Sequence, residues 1–146
     1  MTTHAIDPAR FTTLLLDRGY THGELAAMLE VHPHRVPRWE SGTENVPPGI
    51  LARLAAIDAA AAAAAAGIVA DRARAANTTI TAHRDAGERG PADITMTPLT
   101  LGPLDDAAFH AAWPEHAGMP ARWWWHVAAI AENYGIDIER GSTYSR

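Results

Sequence analysis

The sequence predicts a mainly α-helical protein, and three observations carry the prediction. Alanine fills 31 of 146 positions, and it is the strongest helix former. Capping signals stand ahead of apolar residues at three- and four-residue spacing in several segments. Alternating apolar and polar residues, the strand signal, occur in only one short run. With so much of the apolar content in alanine, interior volume falls to a few large side chains, among them five tryptophans and two phenylalanines. A length near 150 residues fits one modest domain, or a small domain with an appendage.

Asp7-Pro8 opens the first helix, an N-cap acid followed by a proline at a position whose amide has no helical partner. Phe11, Leu14, Leu15 and Arg18 follow, and Gly19 stops it. Thr21 and Glu24 have capping-box spacing, and Leu25, Met28 and Leu29 give the second helix its apolar stripe. Glu30-Val31-His32 reads as a three-residue turn, with His32 as cap and Pro33 at the first position of a third helix. In that helix Val36 and Trp39 face inward at i, i+3, and Gly42 ends it. Asn45-Val46-Pro47-Pro48-Gly49 restarts a helix whose apolar face is Ile50, Leu51, Leu54 and Ile57. It runs through the alanines 59–66 to at least Ala75, about 42 Å. Over residues 76–86 the pattern is compatible with helix, strand or loop.

Gly87 to Pro91 is a turn, and Asp93-Ile94-Thr95-Met96-Thr97 is the alternating run, read as one short strand. Leu104 to Trp113 reads as a short helix capped by Asp105, Pro114 to Gly118 as a loop, and Pro120 to Tyr134 as a final helix ended by Gly135. Trp123, Val127, Ile130 and Tyr134 recur there as a buried stripe, with Trp124, Ala128 and Ala131 beside it. Residues after Arg140 read as a loose tail. The expected division is a head over 1–58, an Ala-rich helix and connector over 59–91, and a C-terminal segment over 92–146.

The net charge is −5, and all twelve basic residues are arginine. Residues 1–46 hold four of them against six acids, 47–91 five against four, and 92–146 three against seven. Any nucleic-acid site is therefore a local patch rather than a basic field. The absence of cysteine excludes disulfides and thiolate chemistry and fits a reducing compartment. The first ten residues lack a signal-peptide pattern, and the twelve uncharged residues between Asp58 and Asp71 fall short of the roughly 18 that span a bilayer. The expectation is a cytoplasmic protein with no membrane partner.

Chemistry finds little support. His32 and His34, with His22 nearby, lack metal-ligand spacing, since i, i+2 points to different helix faces and no HExxH motif is present. Asp105-Asp106 is a helix start, and Ser41, Ser142 and Ser145 stand in no nucleophile elbow. No catalytic residue, metal or cofactor is expected.

The second and third helices with their tight turn form the arrangement that implies a job, because a helix laid in the major groove meets the full donor and acceptor code of the bases. With Val36 and Trp39 inward, His34, Arg35, Pro37 and Arg38 project outward. Arg38 is the candidate for bidentate contact to guanine, His34 is a second reader, and Arg35 lies nearer a phosphate. Thr21 and His22, at the start of the second helix, suit a phosphate through free amides and the helix dipole.

Residues 10–58 resemble the Cro/C1 (Xre-type) helix-turn-helix family, above all through Leu25-Ala26-Ala27-Met28-Leu29-Glu30-Val31-His32-Pro33 and Arg38-Trp39-Glu40-Ser41-Gly42. Trp39-Glu40-x-Gly42 with Val46-Pro47, Ile50, Leu54 and Ile57 is similar to the YdiL-like branch and to anti-CRISPR-associated autorepressors, as are Trp113-Pro114-Glu115-His116-Ala117-Gly118 and the Trp123 to Tyr134 helix. The resemblance implies a five-helix DNA-binding head, a C-terminal dimerisation part whose short strand pairs across the two-fold, and a homodimeric repressor of an operon at an inverted repeat. Carried over, the base-reading positions fall on Pro33, His34, Pro37 and Arg38. Glu30 stands where the family has glycine, so a left-handed backbone there would be strained. Pro37, five residues into the expected helix, would remove one hydrogen bond and kink it.

Ile94 and Met96 on the strand, with Trp123, Trp124, Trp125, Val127 and Ile130 on the last helix, make the expected dimerisation surface. Three consecutive tryptophans sweep about 200° of a helix, so one ring leaves the local core while Trp123 and Trp124 stay buried. Two other readings stand beside the repressor: an antitoxin-like or adaptor module gripping a protein partner with the Trp-rich helix, and an RNA-binding regulator that stacks bases on the tryptophans.

Overall fold

The computed structural model describes residues 7–144, the Leu16 side chain excepted; positions 1–6 of the expected head and 145–146 of the expected tail lie outside the described residues. It is mainly helical. Helix α1 (Pro8–Arg18) is capped by Asp7, whose carboxylate accepts from the Ala9 amide at 3.1 Å, and ends at Gly19 with φ +69°. Helix α2 (His22–Leu29) starts with the capping box: the Thr21 hydroxyl accepts from the Glu24 amide at 3.1 Å and Glu24 accepts from the Thr21 amide at 3.0 Å. Helix α3 (Arg35–Ser41) ends at Gly42, φ +76°. Helix α4 (Pro48–Asp85) has 38 residues, about 57 Å of rod.

These helices close over Phe11, Leu25, Leu29, Val36 and Trp39, all essentially inaccessible to solvent. Phe11 meets the Trp39 ring edge-on at 5.8 Å, the offset that the ring quadrupoles favour. Val46, Ile50 and Leu54 complete this end of the core.

The other end is built on α4 by helix α6 (Ala121–Glu132). Trp123, Trp124, Val127, Ala128 and Ala131 pack beside Ile57, Ala61, Ala65 and Ile68, with Phe109 of helix α5 (Asp106–Ala112) stacked at 5.6 Å from Trp124. Ala61 and Ala65 are fully buried, because a methyl side chain leaves room for two indoles at close helix approach. One contiguous core thus joins both ends of the chain, and the boundary drawn at residue 58 falls inside α4.

Strand β1 (Leu99–Leu101) pairs in parallel with β2 (Ile138–Arg140), Leu99 opposite Ile138, after the α5–α6 crossover. Behind it, Tyr144 is buried, donates its hydroxyl to the Pro103 carbonyl at 2.7 Å and accepts from the Trp125 indole at 3.2 Å.

Several expectations are corrected. Among the described residues the head is three short helices and the start of α4, not the five helices that the resemblance implies. Residues 76–85 are helix. The alternating run 93–97 forms no strand but is part of a connector, and the strand that follows it, β1, pairs with β2 of the same chain. Residues 141–144 are anchored by Tyr144 instead of loose. Tyr134 is 70% exposed, because the helix ends at Glu132 and Gly135 turns the chain at φ +88°. By length and composition α4 is apolar enough to cross a membrane, with a mean hydropathy of 1.6 over its best stretch, a quantity that the count of uncharged residues missed. Its stripe from Ile50 to Ile68 packs into the core, while 28% of that best stretch is buried.

Candidate nucleic-acid interface

The α2–α3 pair is positioned by what it buries. Leu25, Ala26 and Leu29 of α2 and Val36 and Trp39 of α3 are interior, so the opposite faces are left to solvent. Between them Glu30 adopts φ +56°, ψ +43°, and its amide and that of Val31 close the last turn of α2 on Ala27 and Ala26 at 3.2 and 2.9 Å. The left-handed residue expected at this position is therefore present, and it is not glycine.

The third helix begins two residues later than expected. Arg35 donates its amide to the His32 carbonyl at 2.9 Å, a tight turn spanning Pro33 and His34, and His34 is the cap. His32 is not the cap residue; its Nδ1 accepts from the His34 amide at 3.3 Å. The shift also overturns the expected kink at Pro37. Pro37 is the third residue of α3, among the first amides of a helix that have no carbonyl to reach, so no hydrogen bond is lost.

Pro33, His34, Pro37 and Arg38 are exposed, and the Arg38 side chain is 57% accessible. Arg35 is more engaged: its guanidinium lies over the Trp39 ring at 5.1 Å and donates to Glu44 Oε1 from Nε at 2.9 Å and from Nη2 at 2.6 Å. Glu44 Oε2 is 3.7 Å from Arg38 Nε. The Arg35 bonds hold the Glu44 carboxyl below its usual range, with the Trp39 indole N–H, short of full hydrogen-bond geometry, adding to the effect. Thr21 and His22 are exposed at the start of α2. The capping box takes up the Thr21 and Glu24 amides, which leaves those of His22 and Gly23 for a phosphate. His22 Nε2 also reaches Glu40 at 2.7 Å, tying the start of α2 to α3.

Glu40, Glu44 and the Glu24–Arg122 contact at 3.1 Å were missed. Arg122 sits 98 positions from Glu24, and no local pattern announces so distant a pair. Residues 21–44 carry two arginines and four glutamates, so the face is directional rather than strongly basic.

The expected dimerisation set divides. Trp123, Trp124 and Val127 are buried within the chain and offer nothing to a partner, because the alanines of α4 take them up. Trp125 is half-buried beneath Arg140 at 4.9 Å, and Ile130 is half-buried. Ile94 and Met96 are exposed on the connector. Ile130 and Tyr134 border a cleft of about 330 Å³ with Ala62, Ala66, Val69, Ala70 and Ala73. Among the described residues no group of three or more His, Cys, Asp or Glu is placed to hold a metal. No family model matches the sequence, and no curated protein matches it either.

Proposed function

We propose that the protein is a sequence-specific regulator that binds double-stranded DNA through α2 and α3, acting as a homodimeric repressor at an inverted repeat. The observation that carries the reading is the exposed face of α3. A seven-residue helix is anchored from behind by Val36 and Trp39 and presents Arg38, Pro37 and His34 outward, which suits insertion into the major groove. The His22 and Gly23 amides at the start of α2 supply a phosphate contact beside it. In this reading Arg38 reads a base edge, while Arg35 is engaged with Glu44 beside it. The protein is expected to be cytoplasmic, to use no cofactor and to catalyse no reaction.

A second copy would use apolar groups left outside the core, Ile94, Met96 and the Ile130–Tyr134 edge, rather than the buried tryptophans. That same apolar edge favours the adaptor reading, in which a different protein docks there. Base stacking on RNA has less support, since two of the three consecutive rings are 1% exposed.

The test is selection of bound duplexes from a random DNA pool at two salt concentrations, with light scattering on the same sample. Enrichment of an inverted repeat by a dimer, weakening at higher salt, is the expected result. A folded protein that enriches no duplex refutes the reading.

A further inference from the structure

We infer that Glu44 is a specificity-determining residue of the DNA-reading face, orienting Arg38 toward base edges while withholding Arg35 from phosphates; the inference rests on the DNA-binding reading above. Glu44 is fixed in place by its own loop. Gly42 turns the chain back at φ +76°, the Glu44 amide donates to the Arg38 carbonyl at 3.1 Å, Ser41 and Thr43 hydroxyls meet at 2.8 Å, and Val46 is buried two residues on. The carboxylate is thus held against the C-terminal end of α3, where the helix dipole disfavours a negative charge. Two guanidinium groups offset that cost, and each meets Glu44 differently.

Arg35 is gripped side-on through Nε and Nη2 by one oxygen while its plane rests near the Trp39 ring. Its charge is paired with Glu44. Arg38 has only Nε toward the other oxygen, at 3.7 Å. With its Nε nearest that oxygen at ion-pair rather than hydrogen-bond distance, the end-on edge formed by its two terminal nitrogens is left open, and that edge matches guanine O6 and N7. One glutamate therefore subtracts from sequence-independent attraction and adds to directional readout. Because Arg35 holds its proton affinity down, Glu44 keeps its charge through the neutral range.

The experiment measures binding of the full chain to its selected duplex and to a scrambled duplex, from 50 to 200 mM salt, for wild type, Glu44→Gln, Arg38→Ala and the double variant. Thermal melts establish that each variant is folded. Glu44→Gln frees one more cation for phosphate. It should tighten the scrambled duplex and lose about 3.5-fold more affinity than wild type over that salt range, as one added phosphate contact requires. Its preference for the selected duplex should narrow at the base pair whose preference Arg38→Ala relaxes. In the double variant, preference at that pair should equal that of Arg38→Ala alone.

Equal tightening of both duplexes by Glu44→Gln, or unchanged binding to the scrambled one, overturns the inference while leaving the DNA reading intact. A wild-type protein that does not distinguish the two duplexes removes both.

Discussion

Replacing Glu30 by glycine should stabilise the protein, and the effect can be separated from the loss of a charge. Glu30 is the one non-glycine residue with positive φ among the described residues. A side chain in the left-handed region costs about 1–2 kcal/mol, because Cβ crowds the following carbonyl. Glycine removes that cost but loses about 0.5–1 kcal/mol more backbone freedom on folding. Glu30→Gly should therefore gain a net ~0.5–1 kcal/mol. At about 2.1 cal/mol/K per residue of unfolding entropy, this raises Tm by ~2–3 °C. Glu30→Ala also removes the carboxylate but keeps Cβ, so it should stay within about 0.5 kcal/mol of wild type. Urea unfolding followed by tryptophan fluorescence, with thermal melts by circular dichroism, decides between them. Equal gains from both variants would assign the effect to charge, and a loss on Glu30→Gly would refute the backbone argument.

Gly102→Ala should cost about 1–3 kcal/mol in the same assays, since a Cβ there would lie 2.5 Å from the Tyr144 ring and 2.8 Å from its backbone nitrogen. Ala65→Leu should cost a similar ~1–3 kcal/mol by forcing α6 off α4, whereas Ala66→Leu, on an exposed position, should change the urea midpoint little. Tyr20 is pushed up to about 12 by burial and the nearby Asp58, so its neutral hydroxyl is the form the fold favours. Its contribution is whole below pH 10 and is lost as pH rises toward 12; Tyr20→Phe should show a smaller loss of stability between pH 9 and 11.5 than wild type. Arg38→Ala should cost about 1–3 kcal/mol on the selected duplex and relax preference at one base pair per half-site; a uniform loss over all sequences removes Arg38 as a base reader.

The elements whose signals are local were legible in the sequence. Asp7-Pro8, the Thr21–Glu24 box and Asp105 each start a helix where a side chain reaches its own first-turn amides, and such bonds span two or three residues. What failed depends on distant partners. Asp93–Thr97 alternates as a strand does, but the strand partner of this region is β2, and the register that covers Leu99 places pairing at 99–101. Spacing places the tryptophan stripe in the interior, yet whether a ring is buried by its own chain or by a second copy depends on Ala61 and Ala65, some sixty positions earlier. The kink expected at Pro37 is absent because α3 starts two residues later than its capping pattern implies, and helix ends shift by that much with local turn geometry. Arg38 was legible as an outward residue from the Val36–Trp39 spacing, whereas Glu44, which faces it, required the fold of the Gly42 loop.

In the proposed DNA complex, the charge distribution limits how tightly one head can hold the duplex. Arg18 is paired with Asp58, Arg53 with the Leu29 carbonyl, Arg122 with Glu24 and Arg35 with Glu44. Each of these arginines is committed to holding the fold, and each Glu or Asp partner cancels a charge that phosphates would otherwise feel. Counterion release grows with the number of phosphates neutralised, so a single head that contributes Arg38 and two helix amides has little non-specific affinity. Two heads joined in one particle make the second encounter intramolecular and multiply weak contacts without adding any. In the proposed dimer the same arithmetic would supply selectivity, because a duplex bearing only one half-site would gain almost nothing from a head so poor in free charge. A protein built this way should ignore bulk DNA at physiological salt and respond steeply to half-site spacing. Inserting five base pairs between half-sites turns the second away by half a helical turn, and should reduce binding to that of an isolated half-site. If affinity survives the insertion, the heads act independently and the repressor reading loses its source of affinity.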